Sequence, residues 1–245
     1  MRAMILAAGR GERMRPLTDT LPKPLLRAGG RPLIVWHIAR LARAGFHDIV
    51  INHAWLGHKI EQALGDGRQY DVRLHYSAEG QALETAGGIA QALPLLGDEP
   101  FLVVNGDVWC DWTPELAPGQ AQRLHASGDL AWLLLAGNPP HHPSGDFLLD
   151  ATGRVRDPVQ PDDVTARANS RLTFTGIGVY HPALFAGLPA GRPAALAPLL
   201  RQAMREGKVA GAHYNGEWMD IGTPARLAEL DARLIARPHL FASDA

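Results

Sequence analysis

Short apolar runs alternate with stretches of helical spacing through roughly the first hundred residues, and this alternation narrows the possible folds more than any other feature. Ala3 to Ala8 is apolar and stops at Gly9, which reads as a buried strand. Leu33 to Ala44 sets Leu33, Trp36, His37, Leu41 and Ala44 at helical spacing and stops at Gly45, a helix C-terminal signal. His47 to Asn52, Val72 to Ser77 and Phe101 to Asn105 read as further strands. Ile60 to Leu64 and Ala86 to Leu96 read as helices, the second bent or ended by Pro94. Strand–helix alternation of this kind predicts an α/β fold, with a mostly parallel sheet between two layers of helices.

The second half is less regular. Ala121 to Ser127 reads as a helix and Leu130 to Ala136 as a strand; Asn138 to Phe147 then carries three prolines and a glycine. Leu148 to Asp150 and Arg154 to Arg156 flank Thr152-Gly153 like a hairpin. Thr173 to Tyr180 reads as a strand, Ala195 to Glu206 as a helix, and Pro224 to Arg237 as a closing helix with proline in its first turn. No internal repeat or low-complexity linker divides the 245 residues, so a single domain is expected, its C-terminal half laid over the sheet.

Charge and cysteine usage exclude several classes. A formal net charge of -1 argues against a basic nucleic-acid-binding surface. Cys110 is the single cysteine, so neither an internal disulfide nor a multi-cysteine zinc site is possible, and it reads as a small buried hydrophobe. No apolar run approaches the ~18 residues of a membrane span, and the first apolar stretch is too short for a signal peptide. The cytoplasm is the expected compartment. His141 and His142 are adjacent, so they point in different directions and lack a third partner for a metal.

Glycine, arginine, proline and lysine crowd into "LAAGRGERMRPLTDTLPKPL", Leu6 to Leu25, directly after the first strand. Glycine-rich turns at that place in an α/β sheet can converge backbone N–H groups on phosphate oxygens. The stretch is neither a P-loop nor a dinucleotide fingerprint, since Met14 stands where the third glycine would be. Lysine is uncommon here: only Lys23, Lys59 and Lys208 are lysines among 24 basic residues. Lys23 lies between Pro22 and Pro24, which fix the backbone that presents it. Arg13 and Lys23 beside the loop suit a bound polyphosphate.

This stretch resembles the signature loop of sugar-1-phosphate nucleotidyltransferases, and three further motifs extend the resemblance over nearly the whole chain. "EGQALETAGGI", Glu79 to Ile89, is similar to the family's base-contacting segment, with Glu84 where glycine is common. "VVNGDV" and "WMDIGTPARL" are similar to its two metal-binding segments. The resemblance implies a glycosyltransferase-A-like, Rossmann-like three-layer sandwich over residues 1–240, with a nucleotide half near 1–110 and a sugar half near 111–240. It implies nucleotide contacts from Ala8, Gly9, Gly11, Glu12, Arg13, Lys23, Glu79, Glu84 and Gly87, with Arg13 and Lys23 catalytic. Asp107 and Asp220 are implied as magnesium ligands, and Asn105, Asp146 and Gly176 as sugar-phosphate contacts. The implied reaction is in-line attack of a sugar 1-phosphate on the α-phosphorus of a nucleoside triphosphate.

The family's sugar-phosphate lysine has no counterpart in "RVRDPVQP", where Arg154 or Arg156 could substitute. The loop from Asn138 to Phe147 resembles that of a uridylyltransferase branch acting on a muramyl sugar 1-phosphate in bacterial cell-wall recycling, so UTP and that sugar are the expected substrates. His141, His142 or Arg156 could offset the muramyl carboxylate. Guanylyl transfer to mannose 1-phosphate, thymidylyl transfer to glucose 1-phosphate, and a non-catalytic nucleotide-sugar-binding regulator stay open as alternatives. Nothing in the sequence speaks to the oligomeric state.

Overall fold

Period-two patterning in the strands sorts their side chains between two helical layers. The structure is a computed structural model that describes residues 1–158 and 171–236. Its strands are β1 (Ala3–Leu6), β2 (Arg27–Ala28), β3 (Arg31–Pro32), β4 (Asp48–His53), β5 (Arg73–Ala78), β6 (Phe101–Asn105) and β7 (Val108–Cys110). Then follow β8 (Ala131–Ala136), β9 (Leu148–Leu149), β10 (Val155–Arg156), β11 (Thr173–Tyr180), β12 (Val209–Tyr214) and β13 (Trp218–Asp220). The helices are α1 (Leu33–Arg43), α2 (Gly57–Leu64), α3 (Glu84–Leu96), α4 (Ala117–Ser127), α5 (Leu196–Arg205) and α6 (Pro224–Ala236).

Seven strands form the central sheet in the order β12-β8-β11-β6-β1-β4-β5. Every pairing in it is parallel except those of β11, which runs antiparallel to both β6 and β8. Ile5, Ile49, Ile51, Leu102 and Val104 pack on one face with residues of α1, α2 and α4. Met4, Val50, Phe101 and Val103 pack on the other with α3 and α5. Each such large apolar side chain contributes ~1.5–3 kcal/mol by leaving water. The three-layer, mostly parallel sandwich expected from the alternation is therefore the observed architecture. A third cluster, with Met14, Trp36, Trp109, Ile221 and Leu230, fastens α6 beneath the first loop.

Three details differ from the sequence reading. Pro94 does not end α3, which continues to Leu96 with the proline in its last turn. β12 was not anticipated: "VAGAHY" is poor in β-branched residues, yet it pairs in parallel with β8 over six residues. The β7–β13 pairing was also missed, because each strand is only three residues long and the two lie about a hundred residues apart. Arg237, the expected end of the last helix, and Val159 to Pro161 of the "RVRDPVQP" segment lie outside the described residues.

Parallel strands bring their carboxyl ends to one edge, which is where ligands bind in sheets of this kind. Ala7 and Ala8 leave β1 there, Asn52 sits near the end of β4, and Asn105 ends β6.

Candidate active site at the carboxyl ends of the strands

The glycine-rich loop is fastened by its own contacts. Gly11 takes a left-handed φ of 69°, and its carbonyl accepts from Thr18 Oγ1 at 2.9 Å. Arg10 donates to Thr18 O at 2.8 Å and to Asp19 at 3.1 Å, with its guanidinium 3.9 Å from the Trp55 ring centre. Trp55 Nε1 donates to the same Thr18 carbonyl at 3.0 Å. Arg10 is thus the basic residue that shapes the loop, a role the sequence reading missed. Glu12 is exposed and makes only loose ion pairs with Arg10 and Arg15, at 3.7 and 3.9 Å.

Lys23 is buried, and its Nζ lies 2.6 Å from Asp107 Oδ2. Ala8, Gly9, Lys23, Glu84, Asn105 and Asp107 all line one cavity. Arg13 stands elsewhere, at the Asp220 end: a Cβ built on Gly222 would lie 3.0 Å from Arg13 Nη2 and 3.1 Å from Asp220 Oδ2. Asp220 reaches this edge because β13 pairs with β7, and Ile221 N donates to Asp107 O at 2.7 Å. Its carboxylate is held by Arg226 and by His141 Nε2, the latter at 2.7 Å. Neither partner was singled out as such; Arg226 lies in the first turn of α6, within the motif that carries Asp220.

The donor chemistry of this pair suits magnesium. Asp107 and Asp220 are hard oxygen donors on two segments joined by a backbone hydrogen bond, both partly exposed, and each draws a cationic side chain. Two carboxylates completed by water and substrate phosphates are the usual protein share of a magnesium shell. Among the described residues no cluster of three or more histidine, cysteine or acidic side chains forms a closed metal site. Behind Asp107, burial and the neighbouring Arg40 lower the His37 pKa to about 4, so the ring is neutral. Cys110 is buried and its thiol pushed up to about 12 by desolvation, in keeping with an inert core residue.

Glu84, Thr85 and Asn105 also line a second, adjoining cavity, which Asp146 enters from the proline-rich loop. Its remaining wall is apolar, formed largely by Phe147, Phe174, Leu196 and Leu200. Asp146 accepts from Phe174 N at 2.8 Å and lies 3.0 Å from His142 Nε2. Gly176 acts one step back. At φ 81° it lies under the Asn105 side chain, and a Cβ there would approach Asn105 Nδ2 to 2.6 Å. A glycine is needed so that Asn105 can stand between the two cavities.

Glu79 and Gly87 support the wall and line neither cavity. Glu79 is buried, accepting from Asn52 Nδ2 at 2.6 Å and from Leu83 N at 2.8 Å. Asn52 Oδ1 in turn accepts from Ala7 N at 2.9 Å, so one buried chain of hydrogen bonds joins the start of the glycine-rich loop to the turn before α3. A Cβ on Gly87 would strike Arg192 O at 2.3 Å, because the 192–194 segment crosses α3 there. Glu84 takes φ 58°, which accounts physically for the glycine common at this place in the family. Arg154 and Arg156, the two candidates for the lysine's place, line neither cavity and are both engaged by carboxylates. Arg154 is paired with Asp129 at 2.5 Å and Arg156 with Asp150 at 2.9 Å, within their own hairpin and its neighbours.

A sheet-edge cleft holding a fastened glycine-rich loop, a buried lysine and two strand-end aspartates matches one known family over almost the full chain. The nucleotidyl transferase family profile matches residues 2–237, and the chain belongs to that family. It is 55% identical over 235 residues to an N-acetylmuramate alpha-1-phosphate uridylyltransferase of Neisseria meningitidis serogroup B, covering 95% of this chain and 97% of that one. A protein of the same name from Caulobacter vibrioides is 34% identical, covering 95% and 96% of the two chains. A mannose-1-phosphate guanyltransferase of Aspergillus oryzae is also 34% identical, but the match spans only 61% of its length. Among solved structures, a Bacillus anthracis protein assigned as a glucose-1-phosphate thymidylyltransferase superposes with a TM-score of 0.79 at 22% identity, over 96% of this chain and 95% of that one. At that identity the likeness speaks for the fold.

Proposed function

We propose that this nucleotidyltransferase moves a uridylyl group from UTP to N-acetylmuramate 1-phosphate, giving the UDP-sugar and pyrophosphate. The observation that carries this reading is the pair of adjoining cavities sharing Glu84, Thr85 and Asn105, with Lys23 and Asp107 in the first and Asp146 in the second. Supporting it, the two relatives of nearly equal length both bear that activity in their names, one of them at 55% identity. The mannose guanyltransferases match over a smaller share of their length.

The nucleotide lies in the first cavity, its phosphates against Ala8, Gly9 and the fixed loop. Residues 1–110 supply most of this half and 111–240 most of the sugar half. The sugar phosphate oxygen attacks the α-phosphorus in line, and the oxygen bridging to the β-phosphorus leaves with pyrophosphate. No protein nucleophile takes part. Lys23 and Arg13 provide fixed positive charge where the leaving pyrophosphate develops negative charge, in a site partly closed to water. When bound by Asp107 and Asp220, magnesium supplies further positive charge to the transferring phosphate. Asn105, propped by Gly176, and Asp146 orient the sugar. His142, held on Asp146, brings a basic group beside a cavity that must receive a lactyl carboxylate.

A pyrophosphate-release assay with each of the four nucleoside triphosphates tests the base assignment. UTP should give the highest kcat/KM, with dTTP second, since one methyl group is worth only ~1–3 kcal/mol. Preference for GTP would overturn it.

A further inference from the structure

The turn leading into α3 is clamped from both sides. Glu79 Oε2 accepts the Leu83 N–H at 2.8 Å, and Leu83 O accepts the Ala194 N–H at 3.0 Å. Ala194 O in turn accepts from Ala86 N and Gly87 N, at 2.9 and 3.1 Å. Between these clamps Glu84 is one of three non-glycine residues with positive φ among the described residues. A residue with a Cβ persists in that conformation only where its surroundings fix it, and such places concentrate at ligand sites.

The carboxylate of Glu84 is left over from this arrangement. It is exposed, and no hydrogen bond or ion pair among the described residues holds it. Residue 84 nonetheless lines both cavities. The other carboxylate of the second cavity, Asp146, already has one oxygen on the Phe174 amide and the other on His142. Glu84 therefore offers the acceptor capacity that the protein itself has not used.

We infer that Glu84 is a specificity-determining residue for the sugar, its carboxylate accepting hydrogen bonds from hydroxyl or amide N–H donors of the ring bound in the second cavity. This deepens the transferase reading above and rests on it. An ionised carboxylate is acceptor-only, so a sugar that presents donors pairs it, whereas one that does not leaves a charge unpaired. Where the bound ring shields that carboxylate from water, discrimination of this kind exceeds what a methyl contact provides. The wall formed by Phe147, Phe174, Leu196 and Leu200 suits an acyl or alkyl substituent on the same ring. The ligand class is thus an acylated hexose 1-phosphate whose donors turn toward Glu84 and whose methyl-bearing group turns toward the apolar wall.

The test compares wild type with E84G and E84Q on N-acetylmuramate, N-acetylglucosamine, glucose and mannose 1-phosphates at saturating UTP, with the KM for UTP measured separately. Glycine accepts the backbone conformation of residue 84, so E84G should melt at or above the wild-type temperature. Its kcat/KM for the preferred sugar should fall by about tenfold or more, with a narrower spread across the four sugars and a KM for UTP within about threefold of wild type. E84Q, which keeps one acceptor oxygen, should fall between the two. An unchanged spread in both variants, or a loss carried by UTP instead, overturns the inference. Should E84G melt lower, E84Q decides alone. If wild type prefers a sugar other than the muramyl compound, the substrate assignment fails, while this comparison still runs on the sugar it does prefer.

Discussion

The two parts of the cleft, proposed above to take phosphate and sugar, are built on opposite plans. On the phosphate side the charges already have partners: Lys23 with Asp107, Asp220 with Arg226 and His141, Arg10 with Asp19 and Trp55. On the sugar side the side chains are placed by backbone. Asn105 stands over Gly176, Asp146 is pinned by the Phe174 amide, and Glu84 is held by a left-handed φ. A site for polyphosphate and metal tolerates charge held ready in ion pairs, because its ligands exchange one charged partner for another. Recognition of a sugar's hydroxyl and amide groups depends on aim, which backbone geometry fixes better than flexible ion pairs do.

This contrast is sharpest at the aspartates. Asp107→Asn and Asp220→Asn should each lower turnover by about three orders of magnitude with the fold intact. Steady-state pyrophosphate release with circular dichroism as the fold control measures this. Near-normal magnesium-dependent turnover in Asp220→Asn would remove it from the site.

Lys23→Ala should cost ~2–4 kcal/mol of transition-state stabilisation, read as kcat/KM for the triphosphate. It also strips Asp107 of its partner, so the loss should fall on the nucleotide and hardly on the relative preference among sugars. An unaltered kcat/KM would reduce Lys23 to a structural ion pair.

Gly176→Ala probes the other plan. A Cβ at φ 81° and 2.6 Å from Asn105 Nδ2 should destabilise the protein by about 2–4 kcal/mol and displace Asn105. The KM for the sugar 1-phosphate should rise more than that for UTP. Equal rises would show that Asn105 does not separate the two cavities.

Stability should also report the region behind Asp107. The His37 pKa is lowered to about 4, chiefly by burial, whereas an unfolded histidine titrates near 6.5. Between those values the unfolded chain binds the extra proton, so stability falls as pH drops from 6.5 to 4, by up to about 3 kcal/mol. His37→Gln should flatten that limb of the stability–pH curve in urea titrations. An identical slope in both proteins would assign the acid loss to other groups.

What the sequence made legible follows the same division. Lys23 and Gly9 lie within one contiguous stretch and line one cavity, so their proximity was legible in the sequence, whereas Arg13 of the same stretch stands at the Asp220 end. Strand–helix alternation gave the sheet because its period is local. The contacts it hid are those between distant segments. His141 meets Asp220 across 79 residues of chain, and β7 meets β13 across more than a hundred. Asn52 carries no motif, yet it links Ala7 to Glu79. Glu84 was visible as a departure from the family pattern, but only the backbone angle shows that the departure is strained. Glu79 and Gly87 are implied by resemblance as nucleotide contacts, whereas in the fold they line neither cavity and support the wall.

The most direct measurement is the ratio of kcat/KM values for N-acetylmuramate 1-phosphate against glucose and mannose 1-phosphates, at saturating UTP with magnesium. The apolar wall, which suits the methyl-bearing substituents of the muramyl sugar, predicts that this compound leads, by about tenfold or more. Glucose or mannose 1-phosphate leading by the same margin would contradict the substrate assignment and leave membership of the nucleotidyl transferase family untouched.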